Sequence, residues 1–252
     1  MDNYSFSLAA HATHRFLSPV SPETLHRTLA FANLAPGARV ADLGTGNGLM
    51  AAEIAEHYAA HVEAVERSPL MVAHARERLK GRGAPGRVVL HEASSVDFLN
   101  GVQPFDMICA VGAIGLASGS QEPRDVMGAL AAHIRPGGSL LFGESYWKKP
   151  PSDLVRMLIG PQVSVLYKPH AGYIYAGEEA GLTPLYAVTA PDQDWDEYTW
   201  RYSTAVETWV RDNPDHEDAK PMSNRIHAWR KLYLDEGRDT MGFGLYLFRK
   251  PG

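Results

Sequence analysis

The sequence predicts a doubly wound α/β fold, in which helices cover both faces of a mainly parallel sheet. Short apolar segments with strand character alternate with amphipathic segments of helical period through most of the chain. A glycine-rich turn follows the first of these strands and opens a helix, which is typical of such sheets. The 252 residues, 45% hydrophobic and 21% charged, suffice for one large domain or one domain with an insertion.

The first half of the chain has the most regular alternation. Ser21 and Pro22 are typical of a helix start, and the apolar spacing that follows predicts a helix over 21–34. A strand at 39–43 and a helix at 49–60 flank the glycine turn. The alternation continues with strand 62–66, helix 69–80, strand 87–91, strand 105–111, helix 125–135 and strand 139–143. Such βαβ units join parallel strands by right-handed crossovers.

The second half predicts an insertion near the end of the sheet. Helices are expected near 152–159 and 171–180, then a strand at 185–189, two amphipathic helices within 195–236 that separate near Asn213 and Pro214, and a last strand at 241–248. The two late strands should form an antiparallel edge pair that carries the helices between them. We therefore expect an N-terminal arm or lid at 1–20, a core at 21–192 and 240–252, and a helical cap at 193–239.

Composition argues against several classes of partner. The net charge of −5 provides no basic field for nucleic acid. Cys109 is the single cysteine, so neither an internal disulfide nor a cysteine-based zinc site can form, and the 11 histidines show no metal-ligand spacing such as H-E-x-x-H. No signal peptide and no apolar run of roughly 20 residues is present. We expect a cytoplasmic protein with no metal, no membrane segment and no nucleic-acid partner.

The glycine turn at residues 40–48 (VADLGTGNG) carries the most chemical information. Its G-x-G-x-G spacing differs from the G-x-G-x-x-G spacing that places a dinucleotide pyrophosphate on a helix N-terminus. Asp42 precedes the first glycine by two residues, and its carboxylate would repel a pyrophosphate but could hold a cationic amino-acid group. This pattern favours S-adenosylmethionine over NAD. A side chain at Gly46 would fill the space of the ligand.

Two further segments agree with this interpretation. Glu66 ends the second strand, 20 residues beyond Gly46, where a carboxylate can accept both hydroxyls of a ribose. Both S-adenosylmethionine and NAD carry a ribose, so Glu66 alone does not separate them. Residues 134–142 (IRPGGSLLF) join a helix end, a turn and an apolar strand in the order that the fold requires.

In this order, the three segments resemble the class I S-adenosylmethionine-dependent methyltransferases over roughly residues 20–190 and the last strand. The resemblance implies a Rossmann-like sheet of seven strands in the order 3-2-1-4-5-7-6, with strand 7 antiparallel. Residues 14–19 (HRFLSP), 143–147 (GESYW) and 190–198 (APDQDWDEY) resemble a bacterial branch of small-molecule methyltransferases.

The resemblance also implies a site for S-adenosyl-L-methionine, divided by the parts of the molecule. The methionine end would be held by Asp42, Gly44, Thr45 and Gly46, the ribose by Glu66, the adenine by Arg67, Met71, Ser94 and Ser95, and the sulfonium would lie beside Ala110, Val111 and Gly112. Many members carry Asp in the loop after the third strand. This chain has Ala93 and Ser94 there, so a serine would have to supply that contact.

The acceptor side is less constrained by the sequence. Glu144 and Tyr146 follow the fifth strand and are candidate catalytic residues, and His14 and His170 are candidate bases. Clustered aromatic residues of the cap, such as Trp195 and Tyr198, fit either simple packing or an aromatic or cationic acceptor. The expected reaction is in-line methyl transfer to N, O or S of a small molecule. The alternatives are a non-catalytic protein that binds S-adenosylmethionine or S-adenosylhomocysteine, and an NAD-dependent oxidoreductase.

Overall fold

One seven-stranded sheet organises the protein, in the strand order β3-β2-β1-β4-β5-β7-β6. The computed structural model describes residues 3–82, 87–113, 120–160 and 167–252, so residues 1 and 2 of the expected arm lie outside it. The strands are β1 (Arg39–Leu43), β2 (His61–Glu66), β3 (Val88–Glu92), β4 (Phe105–Val111), β5 (Ile134–Trp147), β6 (Thr183–Thr189) and β7 (Met241–Arg249). Strands β1 to β5 pair in parallel, whereas β7 is antiparallel to both β5 and β6. The predicted order and the antiparallel last strand are confirmed.

Helices occupy the connections between the strands. In the described part of the chain they are α1 (Asn3–Ala10), α2 (Pro22–Leu29), α3 (Leu49–Tyr58), α4 (Pro69–Arg78), α5 (Ser95–Leu99), α6 (Pro123–Ala132), α7 (Asp153–Ile159), α8 (His170–Glu179), α9 (Asp192–Asp212) and α10 (Ala219–Leu232). A π-helical turn, Tyr233–Gly237, and a short helix, Arg238–Thr240, lead from α10 into β7. Among the described residues, no helix is long and apolar enough to cross a membrane.

Local chemistry explains several of the helix boundaries. Ser21, Ser68 and Ser94 each cap a helix, because their side-chain oxygens accept a hydrogen bond from a backbone N–H of the first turn. Helix α2 ends at Leu29, earlier than predicted, and Asn33 then adopts a left-handed conformation with φ of 50° that a helix cannot accommodate. The sequence did not predict α1 or α5.

Strand β5 is much longer than the predicted strand at 139–143. It begins at Ile134, and its pairing with β7 runs from Ser139 to Trp147. Residues after 143, which were expected to leave the sheet, therefore remain in it. This extension decides which side chains reach the edge of the sheet.

The two faces of the sheet bury separate apolar clusters. One cluster contains Leu25, Ile54, Leu141 and Leu245 and is covered by α2 and α3. The cluster on the opposite face contains Phe142 and is covered by α6 and α8. Burial on both faces is the expected property of a doubly wound sheet.

A third cluster joins the N-terminal segment to the helices between β6 and β7. Phe6 and Ala10 of α1 pack against Val206 of α9 and Met222 and Ile226 of α10. Full burial of one such large apolar side chain contributes about 1.5–3 kcal/mol. The N-terminal segment is therefore docked on α9 and α10.

Candidate active site

Two cavities meet at the edge of the sheet where the parallel strands end. The first, which we call the Glu66 cavity, has a volume of about 330 Å³ and lies at the ends of β2, β3 and β4. The second, the Glu144 cavity, has a volume of about 460 Å³ and lies between β5, α9, α10 and the N-terminal segment. Gly112, directly after β4, lines both cavities.

The glycine loop is held against the end of β2 by backbone hydrogen bonds. The N–H groups of Gly44 and Thr45 both donate to the carbonyl oxygen of Val65, at 2.9 and 3.0 Å. The N–H of Gly46, where φ is +58°, donates to Oε2 of Glu66 at 3.2 Å. The loop and the strand-end acid, predicted separately, are thus one hydrogen-bonded unit.

Glu66 is buried, with 9% of its surface exposed, and lines the Glu66 cavity. Its Oε1 accepts a hydrogen bond from the N–H of Ser68 at 2.9 Å, while Oε2 accepts the one from Gly46. Because each carboxylate oxygen has two lone pairs, one position on each oxygen is left for a further donor such as a ribose hydroxyl. These two acceptor positions fit the paired hydroxyls of the ribose in an adenosyl group.

The remaining residues predicted at this site fall into two groups. Gly44, Arg67, Ser94 and Ser95 line the Glu66 cavity together with Glu66 and Gly112. Met71 and Ala110 are buried, and Val111 is half-buried at the end of β4; none of the three is in the described lining of the Glu66 cavity.

Ser94 has a structural partner of its own. Its hydroxyl accepts from the N–H of Asp97 at 3.1 Å and donates to Oδ2 of that residue at 2.6 Å. These bonds fix the start of α5 beside the cavity. Contact between Ser94 and an adenine remains a prediction.

Asp42 contacts the glycine loop and is outside the described lining of both cavities. Only 3% of its surface is exposed, and the hydroxyl of Thr45 donates to its Oδ2 at 2.6 Å. Burial raises the pKa of Asp42 to about 6, while the bond from Thr45 opposes this shift. The structure thus places Asp42 against Thr45. Asp42 would act on a bound ligand by holding Thr45 and the glycine loop in position.

The N-terminal segment covers the glycine loop. A Cβ added at Gly46 would lie 2.2 Å from Cδ1 of Leu17, so the space expected for a ligand above Gly46 is occupied by this side chain. Asn47 fixes the segment by donating to the carbonyl oxygen of Arg15 at 3.0 Å, and Arg78 donates to that of His14 at 2.9 Å. Leu17 also lines the Glu144 cavity, so one side chain contacts both the loop and that cavity.

Aromatic side chains form a large part of the walls of the Glu144 cavity. Its aromatic lining in the described structure consists of Phe6, Tyr167, Trp195, Tyr198, Tyr202, Trp229 and Phe243. Trp200, which belongs to the same aromatic-rich segment, is 48% exposed on the outer side of α9. The clustered aromatic residues are therefore divided between the cavity and the surface.

Glu144 is the one acidic residue in the described lining of this cavity. It is buried, with 5% of its surface exposed, and Oε1 accepts from the N–H of Ser145 at 2.8 Å. Burial raises the pKa of Tyr167 to about 12, and the nearby charge of Glu144 adds to this effect. A buried carboxylate therefore lies beside Gly112, where the two cavities meet.

The other three candidate catalytic residues are not in the described lining of the Glu144 cavity. The ring of Tyr146 lies against Gly242 and against His170, whose Nδ1 hydrogen-bonds the hydroxyl of Tyr246 at 3.2 Å. His14 is buried and donates from Nε2 to the carbonyl oxygen of Tyr198 at 2.9 Å. Tyr146 and His170 thus belong to the sheet face under α8, and His14 joins the N-terminal segment to α9.

Sequence reasoning missed several residues of the site. The sequence motifs contain Leu17 and Asn47 but indicate no separate role for them, and they do not include Arg225 of α10 at the Glu144 cavity. One face of α10 had a detectable signal, because the apolar residues 228, 229 and 232 follow helical spacing and line this cavity together with Arg225. Within the described ranges, no group of three or more His, Cys, Asp or Glu side chains could hold a metal ion.

Comparison with known proteins agrees with this geometry. Residues 40–138 match the methyltransferase domain family. The structure of an S-adenosylmethionine-dependent methyltransferase from Geobacter sulfurreducens, in complex with S-adenosyl-L-homocysteine, is similar with a TM-score of 0.86 and 26% identity over 97% of each chain. Residues 40–138 therefore carry a methyltransferase domain, and the chain has the fold of the class I S-adenosylmethionine-dependent methyltransferases, with S-adenosyl-L-methionine as the cofactor.

Two further similarities extend over nearly the whole chain. The protein YjhP from Escherichia coli strain K12 is 26% identical over 242 residues, 94% of each chain. A methyltransferase from Thiobacillus denitrificans, also in complex with S-adenosyl-L-homocysteine, shares the fold with a TM-score of 0.87 and 24% identity over 98% of this chain and 99% of that chain. The similarity thus extends through the N-terminal segment and the helices between β6 and β7.

Proposed function

We propose that the protein transfers a methyl group from S-adenosyl-L-methionine to a nitrogen, oxygen or sulfur atom of a small molecule bound in the Glu144 cavity. The proposal rests on the position of Gly112, which lines both cavities. A methyl donor in the Glu66 cavity and an acceptor in the Glu144 cavity would therefore meet beside this residue. The Glu144 cavity, of about 460 Å³, is within the size range of small-molecule sites.

The Glu66 cavity supports the donor half of the proposal. Glu66 would accept the ribose hydroxyls, while Arg67, Ser94 and Ser95 would border the adenine. Among the described residues, no atom would lie within 4 Å of a Cβ on Gly112, which leaves space for the reacting groups at their expected position. When bound there, S-adenosyl-L-methionine supplies an electrophilic methyl group on a sulfonium.

Alignment of the acceptor would supply most of the rate, because the reaction is an in-line displacement. The protein must also accept a proton when the nucleophile is protonated at neutral pH. Glu144 is suited to this role, since its buried carboxylate lies beside Gly112.

We further propose that residues 1–20 form a lid and that residues 193–239 form a cap over a core made of the remaining residues. Contacts between Phe6 and α10, and between His14 and α9, support joint movement of the lid and the cap. Because Leu17 lies over Gly46, the lid has to move for a ligand to reach the glycine loop. A cytoplasmic location and the absence of a nucleic-acid partner remain predictions from composition.

Docking of this lid is expected to weaken in acid. His11 donates from Nδ1 to the carbonyl oxygen of Ser7, so its Nε2 accepts from the hydroxyl of Tyr198 at 2.8 Å. Burial and then the neighbouring His14 lower the pKa of His11 from 6.5 to about 4. At a pH between about 4 and 6.5, His11 is protonated when the lid is undocked and neutral when the lid is docked. Lowering the pH from 6.5 to about 4 therefore reduces the free energy of lid docking by up to about 3 kcal/mol.

Hydrogen exchange of residues 3–20 at pH 8 and pH 5 measures this effect. We expect faster exchange at pH 5 after correction for the intrinsic rate, and a smaller pH effect in the His11→Gln variant. His61→Gln, which replaces an exposed histidine at the start of β2, serves as the control. An equal pH effect in wild type and His11→Gln would contradict the assignment to His11.

Calorimetric titration of the purified protein with S-adenosylhomocysteine and, separately, with NADH tests the proposed function. We expect binding of S-adenosylhomocysteine alone, followed by transfer of labelled methyl to a member of a panel of amines, phenols and thiols. Binding of NADH alone would overturn the proposal in favour of an oxidoreductase. Binding of S-adenosylhomocysteine without transfer to any acceptor would favour a non-catalytic binding protein.

A further inference from the structure

We infer that the side chain of Leu17 is a plug, which competes with the methionine end of the donor for the space above Gly46. This inference rests on the proposed function and adds a means of regulation to the same site. The plug acts on one half of the donor site, because the residues expected to hold the ribose and the adenine line the Glu66 cavity, and Leu17 is not in the described lining of that cavity. The lid then helps to set the affinity for the donor.

Leu17 covers the glycine loop directly. Apart from the chain neighbours of Gly46, the three described atoms nearest to a Cβ built on this residue all belong to Leu17: Cδ1 at 2.2 Å, Cγ at 3.4 Å and Cβ at 3.9 Å. A methyl group of Leu17 therefore lies against Cα of Gly46, in the space expected for the methionine end. Two groups cannot fill this space together, so Leu17 has to leave before the methionine end can bind.

Leu17 is held less firmly than the residues around it. Phe16 is 3% exposed and Val20 is 7% exposed, and both belong to the apolar cluster covered by α2 and α3. Leu17 is half-buried and belongs to none of the three apolar clusters of the described residues. Displacing its side chain therefore removes little apolar surface from the core, whereas displacing Phe16 or Val20 would expose core surface to water.

The backbone beside the plug is attached to the loop that the plug covers. The side-chain amide of Asn47 donates to the carbonyl oxygen of Arg15 at 3.0 Å, and the guanidinium of Arg15 pairs with Glu53 of α3. These contacts keep Leu17 next to Gly46 at a high local concentration. The plug therefore returns to the loop readily and competes with every donor molecule.

The Glu144 cavity offers the displaced side chain an apolar surface. Leu17 itself lines this cavity, together with Leu232, Met241 and aromatic side chains. Because Leu17 contacts the loop and the cavity at once, a change of rotamer can move its methyl groups away from Gly46 and keep them against apolar surface. Donor binding would then change the shape of the acceptor cavity, since Leu17 forms part of its wall.

Calorimetric titration of the full-length protein with S-adenosylhomocysteine and with methylthioadenosine tests the plug. The two probes share the adenosine group and the sulfur atom, but only S-adenosylhomocysteine carries the amino-acid end. Leu17→Ala removes the methyl groups that cover Gly46. It should bind S-adenosylhomocysteine about 5- to 50-fold more tightly than the wild type, because apparent affinity rises with the fraction of molecules in which the loop is accessible. Its affinity for methylthioadenosine should stay within about twofold of the wild type.

Leu8→Ala makes the same change elsewhere in the lid and serves as the control. Leu8 is a half-buried residue of α1, outside the described lining of both cavities, so both affinities should match the wild type. Unchanged or weaker binding of S-adenosylhomocysteine by Leu17→Ala would overturn the inference and leave the proposed function intact. An equal gain for methylthioadenosine, or the same gain in Leu8→Ala, would overturn it as well. Failure of S-adenosylhomocysteine to bind to the wild type and to both variants would instead overturn the proposed function.

Discussion

Replacing Glu144 with Gln is expected to lower turnover about 100- to 10,000-fold, the usual contribution of a general base. Gln retains the size of the side chain, and its oxygen can still accept the hydrogen bond from the N–H of Ser145, so the local fold should persist. It cannot accept a proton from the nucleophile. Affinity for S-adenosylhomocysteine should remain within about twofold of wild type, because Glu144 lines the Glu144 cavity and not the Glu66 cavity in the described structure.

Steady-state kinetics with the best acceptor of the panel, together with calorimetry, measures both effects. Glu178→Gln, which removes an exposed carboxylate from α8, controls for the loss of charge. Unchanged turnover would rule out proton transfer by Glu144, and an equal loss of turnover and donor affinity would place its role in donor binding.

The sheet and the glycine loop could be predicted because their signals are local. The spacing of residues 40–48, and the position of Glu66 at a strand end, depend on the immediate sequence and on the topology of parallel strands. The structure joins Glu66 and Gly46 by a hydrogen bond, as two segments that meet at one sheet edge should allow.

The position of Tyr146 depended on a longer-range interaction. The expected strand ended at residue 143, which would have released Glu144 and Tyr146 into a loop at the site. Pairing with β7 extends β5 to Trp147, and Gly242 leaves room for the ring of Tyr146, since a Cβ there would lie 2.3 Å from it. The ring of Tyr146 thus fits against the sheet because Gly242, on a distant strand, has no side chain. The sequence near residue 146 does not indicate this fit.

The lid and the cap were similarly hard to place from sequence. Helical spacing identifies one face of α10, but it does not tell whether that face covers a core or a cavity. Leu17 lies in an irregular segment without periodicity, and its contact with Gly46 joins elements far apart in the chain. Such contacts are determined by packing of the whole fold.

Replacing Gly112 with Val should impair donor and acceptor binding together. Gly112 has a φ of +67°, and its N–H donates to the carbonyl oxygen of Gly143 at 2.8 Å, so its backbone is fixed at the end of β4. In the described structure, a Cβ at this residue would meet no atom within 4 Å and would extend into the space between the two cavities. We expect affinity for S-adenosylhomocysteine to fall roughly 10- to 100-fold through steric overlap, with turnover below detection.

Backbone strain alone could produce a similar loss, and Gly101→Val separates the two causes. Gly101 has a φ of +75°, and a Cβ there would also meet no atom within 4 Å, but it lies in the turn between α5 and β4, outside the described lining of either cavity. Both variants should lose about 1–2 kcal/mol of unfolding free energy, because a β-branched residue is unfavourable at positive φ. Only Gly112→Val should lose ligand affinity. Equal affinities in the two variants would show that the cavities do not meet at Gly112, and the donor and acceptor would then have to approach each other elsewhere along the sheet edge.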